Sequence, residues 1–199
     1  VLSRHGLNAS DNLFYSYYNN YDPTIYAPTY EILNNYYDPG NIIKDSTNVY
    51  NYGFGFFFVG LANIPVWYQV TYQGNSAGMT TSDLIMMKAE CLIRTNKVNE
   101  GMDEINKIRI RRIAPYSPLV ASTEAQAMAY LQKVSRIEFL FTWRNFVDLK
   151  RWNKEGIYPV AVARTINGTT YSLPANSKLW VFPFPQSATQ FNENLTQNY

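Results

Sequence analysis

The second half of the chain, from about residue 81, carries apolar residues at helical spacing. Residues 84–93 are apolar on most sides, which is typical of a helix packed between two neighbours. Three polar residues could cap its N-terminus: Thr81, Ser82 and Asp83. A break at residues 96–97 precedes a second helix, whose apolar positions recur every three or four residues: Val98, Gly101, Met102, Ile105 and Ile108. The short link predicts an antiparallel pair of the tetratricopeptide type, with the helices closest at Ala89.

A third helix is predicted to follow Ser122 or Thr123, either of which can cap it. Its apolar stripe comprises Ala127, Tyr130, Val134, Ile137 and Phe141, and the helical pattern continues, with or without a bend, to residue 152. Asn167-Gly168 then lies between two short β-rich runs and predicts a type I′ hairpin. In the tail, three aromatic residues alternate with prolines and predict an extended strand that lies on the helices: Trp180, Phe182 and Phe184. The pattern as a whole predicts a mainly α fold with a small β-hairpin.

Residues 1–78 differ from the rest in both pattern and composition. Prolines interrupt them repeatedly, a helix over residues 30–37 is weakly indicated, and residues 66–72 are β-branched and aromatic enough for a short strand. They contain 12 of the 17 Tyr and 11 Asn, with two basic and five acidic residues, whereas the remainder has 15 basic and ten acidic residues. We therefore expect an irregular, aromatic-rich segment at 1–78 and a helical region at 79–199.

Composition excludes several classes of protein. Charged residues and aromatic residues each make up 16% of the chain and the net charge is +2, which argues against wholesale disorder. No apolar run reaches the roughly 18 to 20 residues that a bilayer helix needs. The basic run at residues 109–112 fits the C-terminus of a helix better than a phosphate site, so no nucleic-acid partner is expected. The single cysteine, Cys91, cannot form an intramolecular disulfide and is predicted to be a buried, inert thiol.

The chain offers little for catalysis. Its only histidine is His5, which leaves no triad base and no credible zinc set with Cys91. No metal and no cofactor are predicted. Pairs of carboxylates could support glycoside hydrolysis, but that chemistry needs a fixed separation that the sequence does not reveal.

Charged residues are embedded in the apolar helix that follows residue 134. Arg144 and Asp148 are four residues apart, and Asp148 and Arg151 are three apart, so both pairs can meet on a helix surface. Their aromatic neighbours suggest partial burial, and buried charges must be paired. The sequence therefore predicts a structural ion-pair network that includes Glu138, Arg144, Asp148 and Arg151.

Aromatic and amide residues in the first part are the candidates for ligand binding. Tyr and Trp faces can stack on sugar rings while Asn amides bind hydroxyl groups, the usual pairing of an apolar platform with a few polar groups. Trp67 is the most valuable single platform, and the other candidates are Asn51, Tyr52, Tyr68 and Tyr72. For each residue the alternative is a place in the core. The low charge of this part suits a neutral polar ligand.

Three motifs in the second half occur in an order that resembles a known family. The signature helix is VSRIEFLFTWRNFVDLKRW at residues 134–152, the closing motif is FPFPQSATQFNENLTQNY at 182–199, and a helical pair carries DLIMMKAECLIR at 83–94 and NKIRIR at 106–111. These resemble the SusD/RagB family of outer-membrane nutrient-binding lipoproteins. The sequence departs from the family pattern at Thr142-Trp143, where Glu-Gly is usual, and at Asn145, where an arginine is usual.

This resemblance implies a SusD-like helical fold with tetratricopeptide-like units and long irregular loops. It implies a protein that captures oligosaccharides or peptides at the extracellular face of the outer membrane, delivers them to a SusC-type TonB-dependent transporter and is not an enzyme. Because the motifs belong to the end of longer family members, we expect a preceding part with a lipidated cysteine. An assembly or peptide-binding subunit of an outer-membrane complex is the alternative, and a carbohydrate-active enzyme is less favoured.

Overall fold

A computed structural model describes residues 30–41, 79–140, 142–192 and 194–197. The predicted mainly α fold with a helical pair and a small β-hairpin is confirmed. The chain divides into two compact units, Val1–Asn145 and Phe146–Tyr199. The predicted strand at residues 66–72 lies outside the described residues.

The described part of the first unit contains a short helix and three longer ones. Their bounds are α1, Tyr30–Asn35; α2, Thr81–Arg94; α3, Val98–Arg109; and α4, Glu124–Glu138. Helices α2 and α3 form the predicted hairpin, and α4 packs against both. The hairpin is tight because Ala89 is fully buried and a Cβ built on Gly101 would lie 3.0 Å from the Ala89 carbonyl oxygen. Asn96 makes the turn between these helices with a φ of 62°.

The predicted caps of helix α2, Thr81, Ser82 and Asp83, are wrong, because the N-cap lies one residue before the nearest of them. Its N-cap is Thr80, whose hydroxyl accepts a hydrogen bond from the backbone N–H of Asp83, while the Asp83 carboxylate accepts one from the backbone N–H of Thr80 at 2.7 Å. Such a capping box needs an acidic residue three positions after the cap. Thr80 meets this condition because Asp83 lies three positions after it. For α4, Thr123 is the cap, as one of the two predicted alternatives.

The core of the first unit lies between the helical pair and α4. Its largest fully buried apolar side chains come from all three helices: Met86, Ile93, Ile105, Met128 and Leu131. The prediction that Cys91 is buried is wrong. Cys91 is exposed because it shares an outward face of α2 with Leu84 and Met87, whereas Met86, Ala89 and Ile93 point into the core.

The segment after α1 joins this core through its backbone. Asn41 and Ile113 form an isolated antiparallel bridge, and the Ala114 N–H donates to the Gly40 carbonyl oxygen at 2.8 Å. Both Asn41 and Ile113 are buried. Gly40 has a φ of 75°, and a Cβ there would collide with the Ala114 carbonyl, so the close approach requires glycine.

The predicted continuation of the third helix is interrupted. Helix α4 ends at Glu138, and helix α5, Trp143–Glu155, begins after a turn in which the Thr142 hydroxyl donates to the Phe139 carbonyl oxygen at 2.7 Å. Helix α5 starts in the first unit and continues into the second.

The second unit contains the hairpin and the tail. Strands β1, Val162–Ile166, and β2, Thr169–Leu173, pair antiparallel, and Asn167 and Gly168 turn with φ values of 49° and 79°. These two positive values are those of the predicted type I′ turn.

The prediction of an extended strand in the tail is wrong. The tail forms a 3₁₀ turn, Lys178–Trp180, and a five-residue helix α6, Gln186–Gln190. The Ser177 hydroxyl caps the 3₁₀ turn by accepting from the Leu179 N–H, and Pro183 and Pro185 cannot donate to a strand ladder. The tail nevertheless packs on a helix, because Trp180 and Phe182 contact the ring of Phe146 in α5 at centroid distances of 6.0 and 5.5 Å.

Candidate functional site

The residues nominated for ligand binding all fall in one stretch of the chain. Asn51, Tyr52, Trp67, Tyr68 and Tyr72 lie outside the described residues. The described residues instead contain two charged clusters in the first unit, which connect segments distant in sequence. We call them the Glu138 cluster, made of Ser82, Arg112 and Glu138, and the Asp38 cluster, made of Asp38, Arg109 and Lys133.

The Glu138 cluster is centred on a buried carboxylate at the end of α4. The Glu138 side chain accepts from Arg112 twice, from Nη2 at 2.9 Å and from Nε at 3.1 Å, which is the bidentate geometry that strengthens such pairs. The Ser82 hydroxyl donates to the same carboxylate at 2.7 Å. One carboxylate thus connects three segments: the first turn of α2, the residues that follow α3, and the end of α4 itself.

The Asp38 cluster fixes the segment after α1 to α3 and α4. The Asp38 carboxylate binds Lys133 Nζ at 2.6 Å and Arg109 Nη2 at 3.2 Å. The Arg109 side chain is 7% exposed and also donates to the Ser117 carbonyl oxygen at 2.8 Å. Burial raises the pKa of Asp38, but hydrogen bonds and charge from Lys133 and then Arg109 outweigh it, so its pKa is lowered.

A further ion pair, outside both clusters, involves Arg144, a residue predicted to belong to an ion-pair network. Arg144 Nη1 donates to the Asp83 carboxylate at 2.8 Å, and the Arg144 guanidinium lies 4.9 Å from the ring centroid of Phe139. Asp83 therefore serves both the cap of α2 and the first turn of α5. The helical spacing that suggested partners for Arg144 could not reveal this one, which lies 61 positions away.

Arg136 stands apart from these clusters. Its Nη1 donates to the side-chain oxygen of Asn145 at 3.0 Å, and the Asn145 amide donates back to the Arg136 carbonyl oxygen at 3.3 Å. Burial lowers the pKa of Arg136, while Tyr36 and Glu31 act in the opposite direction. Asn145 occupies the position at which the family pattern has its arginine, and here it closes the turn between α4 and α5.

In the second unit, Asp148 is a buried carboxylate on α5. Arg151 Nη2 binds it at 3.1 Å, the pairing suggested by their three-residue spacing, and Arg151 Nη1 reaches Glu155 at 3.4 Å. The Arg151 guanidinium also lies 5.5 Å from the ring centroid of Trp152, which is buried.

A small cavity lies between the two charged clusters of the first unit. Tyr37, Asn41, Ile108 and Val134 line it, together with the charged residues Asp38, Arg109, Arg112 and Glu138. It has room for about one water molecule. That space is too small for a sugar ring or a peptide side chain, so this cavity belongs to the scaffold.

The electrostatics of the described residues suit structural pairing. A general acid working near neutral pH needs a raised carboxyl pKa. Lys107 and then Lys88 lower the pKa of Glu104 by hydrogen bonding, at 2.7 and 2.6 Å, and that of Asp38 is lowered as well. Pairing with cations therefore stabilises the ionised form of Asp38 and of Glu104.

The described residues contain neither a cluster of metal ligands nor a membrane helix. Within the described residues, no group of three or more His, Cys, Asp or Glu side chains could hold a metal ion. No helix in those ranges has the length and apolar character to cross a bilayer.

Sequence reasoning missed the roles of six residues in these networks: Asp38, Ser82, Asp83, Arg109, Arg112 and Lys133. Asp38 was visible only as the start of an Asp-Pro-Gly turn, and its partners lie 71 and 95 positions away. Ser82 and Asp83 were visible only as capping residues. No local pattern marks such long-range partners, because tertiary packing alone brings them together.

Comparison with known proteins gives one match. The model of the SusD family matches residues 9–199. No curated protein matches the chain, and no solved structure does. The family match includes the signature helix, the helical pair and the closing motif, and it extends over most of the irregular first part as well. Because the match covers nearly the whole chain, this chain belongs to the SusD family.

Proposed function

We propose that this protein captures an oligosaccharide, or alternatively a peptide, at the cell surface for a SusC-type TonB-dependent transporter. The observation that carries the proposal is the family match over residues 9–199. SusD-family proteins are nutrient-binding proteins associated with SusC-type transporters, and they bind rather than convert their ligands. A lipid anchor would hold the protein at the extracellular face of the outer membrane.

Aromatic platforms provide the chemistry of capture. We assign stacking on the ligand to Trp67, Tyr68 and Tyr72, and hydrogen bonding of hydroxyl groups to Asn51 and Tyr52. A stacked ring buries apolar area while the amide and phenol groups fix orientation. With two basic and five acidic residues among the first 78, this part carries little charge to attract an ionic ligand.

The Asp38 cluster and the backbone bridge of Asn41 support this assignment indirectly. Asp38 and Asn41 belong to the aromatic-rich part of the chain, and both are fixed to the helical scaffold by an ion pair and a backbone bridge. A binding surface needs such rigid support, because any ordering on ligand binding reduces affinity. The protein would then close over the transporter as a lid and so deliver its ligand to the transporter.

The proposal is tested by glycan binding to the purified full-length protein. We expect binding to at least one neutral oligosaccharide on a glycan array, and a loss of about tenfold or more in affinity for Trp67→Ala, since removing one stacking platform removes a dominant contact. Phe191→Ala is the matched control, because Phe191 is 88% exposed in the tail and is assigned no ligand contact.

The array distinguishes the alternatives. Binding that Trp67→Ala leaves unchanged would contradict the site assignment. Binding to peptides but to no glycan would favour the peptide branch of the proposal. Cleavage of a bound oligosaccharide by the purified protein would contradict the proposal that it is a binding protein.

A further inference from the structure

The β-hairpin of the second unit has two faces of different chemistry. Side chains alternate along a strand, so Arg164 and Ile166 of β1 share a face with their cross-strand partners Tyr171 and Thr169. Ile166 is 45% exposed and Tyr171 is 61% exposed. The opposite face carries small or hydroxyl side chains: Ala163, Thr165, Thr170 and Ser172. We call the first of these the Tyr171 face.

This arrangement differs from an ordinary amphipathic sheet. An antiparallel sheet usually packs its apolar face against a core and solvates the other face. Here every residue from 163 to 172 is exposed, on both faces. A two-stranded hairpin without such packing is only marginally stable in water, so covering the Tyr171 face would stabilise it.

The outer edges of the hairpin are open as well. In the described part of the chain, no backbone hydrogen bond joins β1 or β2 to anything but the other strand. Open edges present rows of N–H and C=O groups that another extended segment can pair with. A lipid surface cannot satisfy such groups, so the edges favour a protein partner over a membrane.

Charge indicates what kind of protein can cover the face. Arg164 lies in the middle of the Tyr171 face, is exposed, and forms no ion pair with any described residue. A partner that buries this face must therefore offer Arg164 an anion, because a buried unpaired charge is strongly unfavourable. A second copy placed face to face would bring two Arg164 side chains together, and like charges at an interface are repulsive.

We propose that the β-hairpin Val162–Leu173 is a docking element for the SusC-type transporter. An extended segment of the transporter pairs with an open edge of the hairpin, its apolar side chains cover Ile166 and Tyr171, and one of its carboxylates binds Arg164. This inference rests on the proposed function, since it assigns the partner of that function to a named surface.

Site-specific crosslinking in the native complex tests the inference. The full-length protein, tagged and expressed in its native host, carries the photo-crosslinker p-benzoylphenylalanine in place of Tyr171. The matched control carries it in place of Ser172, the next residue on the opposite face. We expect a crosslinked band containing the transporter β-barrel protein, identified by mass spectrometry, that is at least about fivefold stronger from position 171, because its side chain points toward the covered face.

A charge reversal gives an independent measurement. We expect Arg164→Glu to reduce co-purification of the transporter at least about tenfold, because it replaces an ion pair with repulsion. Ala163→Glu, on the opposite face, should leave co-purification within about twofold. Both variants should keep the melting temperature of the free protein, since neither side chain contacts a core.

The possible failures are distinguishable. If the unmodified protein brings down no transporter, the proposed function fails and the inference fails with it. If the transporter co-purifies but positions 171 and 172 crosslink equally, or Arg164→Glu binds normally, only the inference is overturned. Crosslinks from position 171 to a second copy, to lipid alone or within the same chain would also overturn it, as would a lower melting temperature for Arg164→Glu.

Discussion

Two arginines with opposite surroundings illustrate the difference between the two units. Arg112, after α3, makes a bidentate ion pair with the buried Glu138. Arg164, on the hairpin, is exposed and forms no ion pair with a described residue. The charge of Arg112 is neutralised by an ion pair that holds three segments of the same unit together. The charge of Arg164 remains available to a binding partner.

The surrounding apolar residues follow the same division. Behind the charged clusters, Ile105, Met128 and Leu131 are almost completely buried. On the hairpin, Ile166 and Tyr171 are largely exposed. The comparison implies that changes to the clusters reduce the free energy of unfolding, whereas changes to the hairpin reduce binding to a partner. Losses of folding stability, measured from the buried pairs to the exposed ones, test the first half of this statement.

The largest effect is expected for Glu138→Ala, which should lower the free energy of unfolding by about 3 kcal/mol, because it leaves Arg112 and Ser82 without their shared acceptor in a partly buried place. Urea unfolding measures it. Glu155→Ala is the control, since its pair with Arg151 is longer and more exposed, and it should cost about 0.5 kcal/mol or less. Equal losses would contradict a special role for the buried cluster.

Gly101→Val should cost about 2 kcal/mol by forcing α2 and α3 apart. A Cβ on Gly101 would lie 2.5 Å from Ile93 Cγ1 and 3.0 Å from the Ala89 carbonyl oxygen, so the backbone itself must shift. Asp103→Val introduces the same side chain at an exposed position of the same helix, where valine and aspartate have similar helix propensities, so it should cost about 0.5 kcal/mol or less. A loss no larger than that of Asp103→Val would refute the tight packing of the pair.

Asp38→Asn should cost about 1 to 2 kcal/mol at pH 7, because ion pairs with Lys133 and Arg109 favour the charged form. The folded pKa of Asp38 is below its ordinary value of 3.8, so its contribution is fully present above that value and is lost as pH falls through the folded pKa. The difference between wild type and variant should therefore shrink below about pH 4. Unfolding curves at several pH values measure it, and a difference that stays constant down to pH 2 would contradict the assignment.

The smallest effect is expected at the start of α3. Lys97 and Glu100 are 4.0 Å apart and both are more than half exposed, so Lys97→Ala should change the free energy of unfolding by less than about 0.5 kcal/mol. Thermal melts of this variant beside Glu138→Ala give the range between an exposed and a buried pair. A comparable loss of unfolding free energy in both variants would contradict the claim that the buried pair contributes more than the exposed one.

Local patterns in the sequence predicted the local structure well. Asn167-Gly168 identified the hairpin, the choice of Ser122 or Thr123 located the start of α4, and Ala89 identified the close approach of α2 and α3, because each depends on a few neighbouring residues. Features that depend on tertiary packing were not predictable in this way. The exposure of Cys91, the partners of Asp38 and the pairing of Arg144 with Asp83 all require knowing which segments meet.

The candidate site likewise has features that local sequence predicts and features that depend on tertiary packing. Aromatic composition nominates Trp67 and its neighbours through the chemistry of stacking, but no spacing rule says which aromatic rings face a ligand. The hairpin shows the converse. Its turn is encoded in two residues. The exposure of Arg164 and Tyr171 could not be predicted from the sequence, because it depends on whether another segment packs over them, and nothing in the described part of the chain does.

Hydrogen exchange on the full-length protein, free and in complex with the proposed SusC-type transporter, tests the central claim most directly, because amide protection reports which backbone groups become covered or paired. The account predicts that amides of Val162–Leu173 exchange markedly more slowly in the complex, while those of α2 and α3, already protected in the free protein, do not change. Unchanged exchange in the hairpin, or new protection confined to α2 and α3, would contradict it.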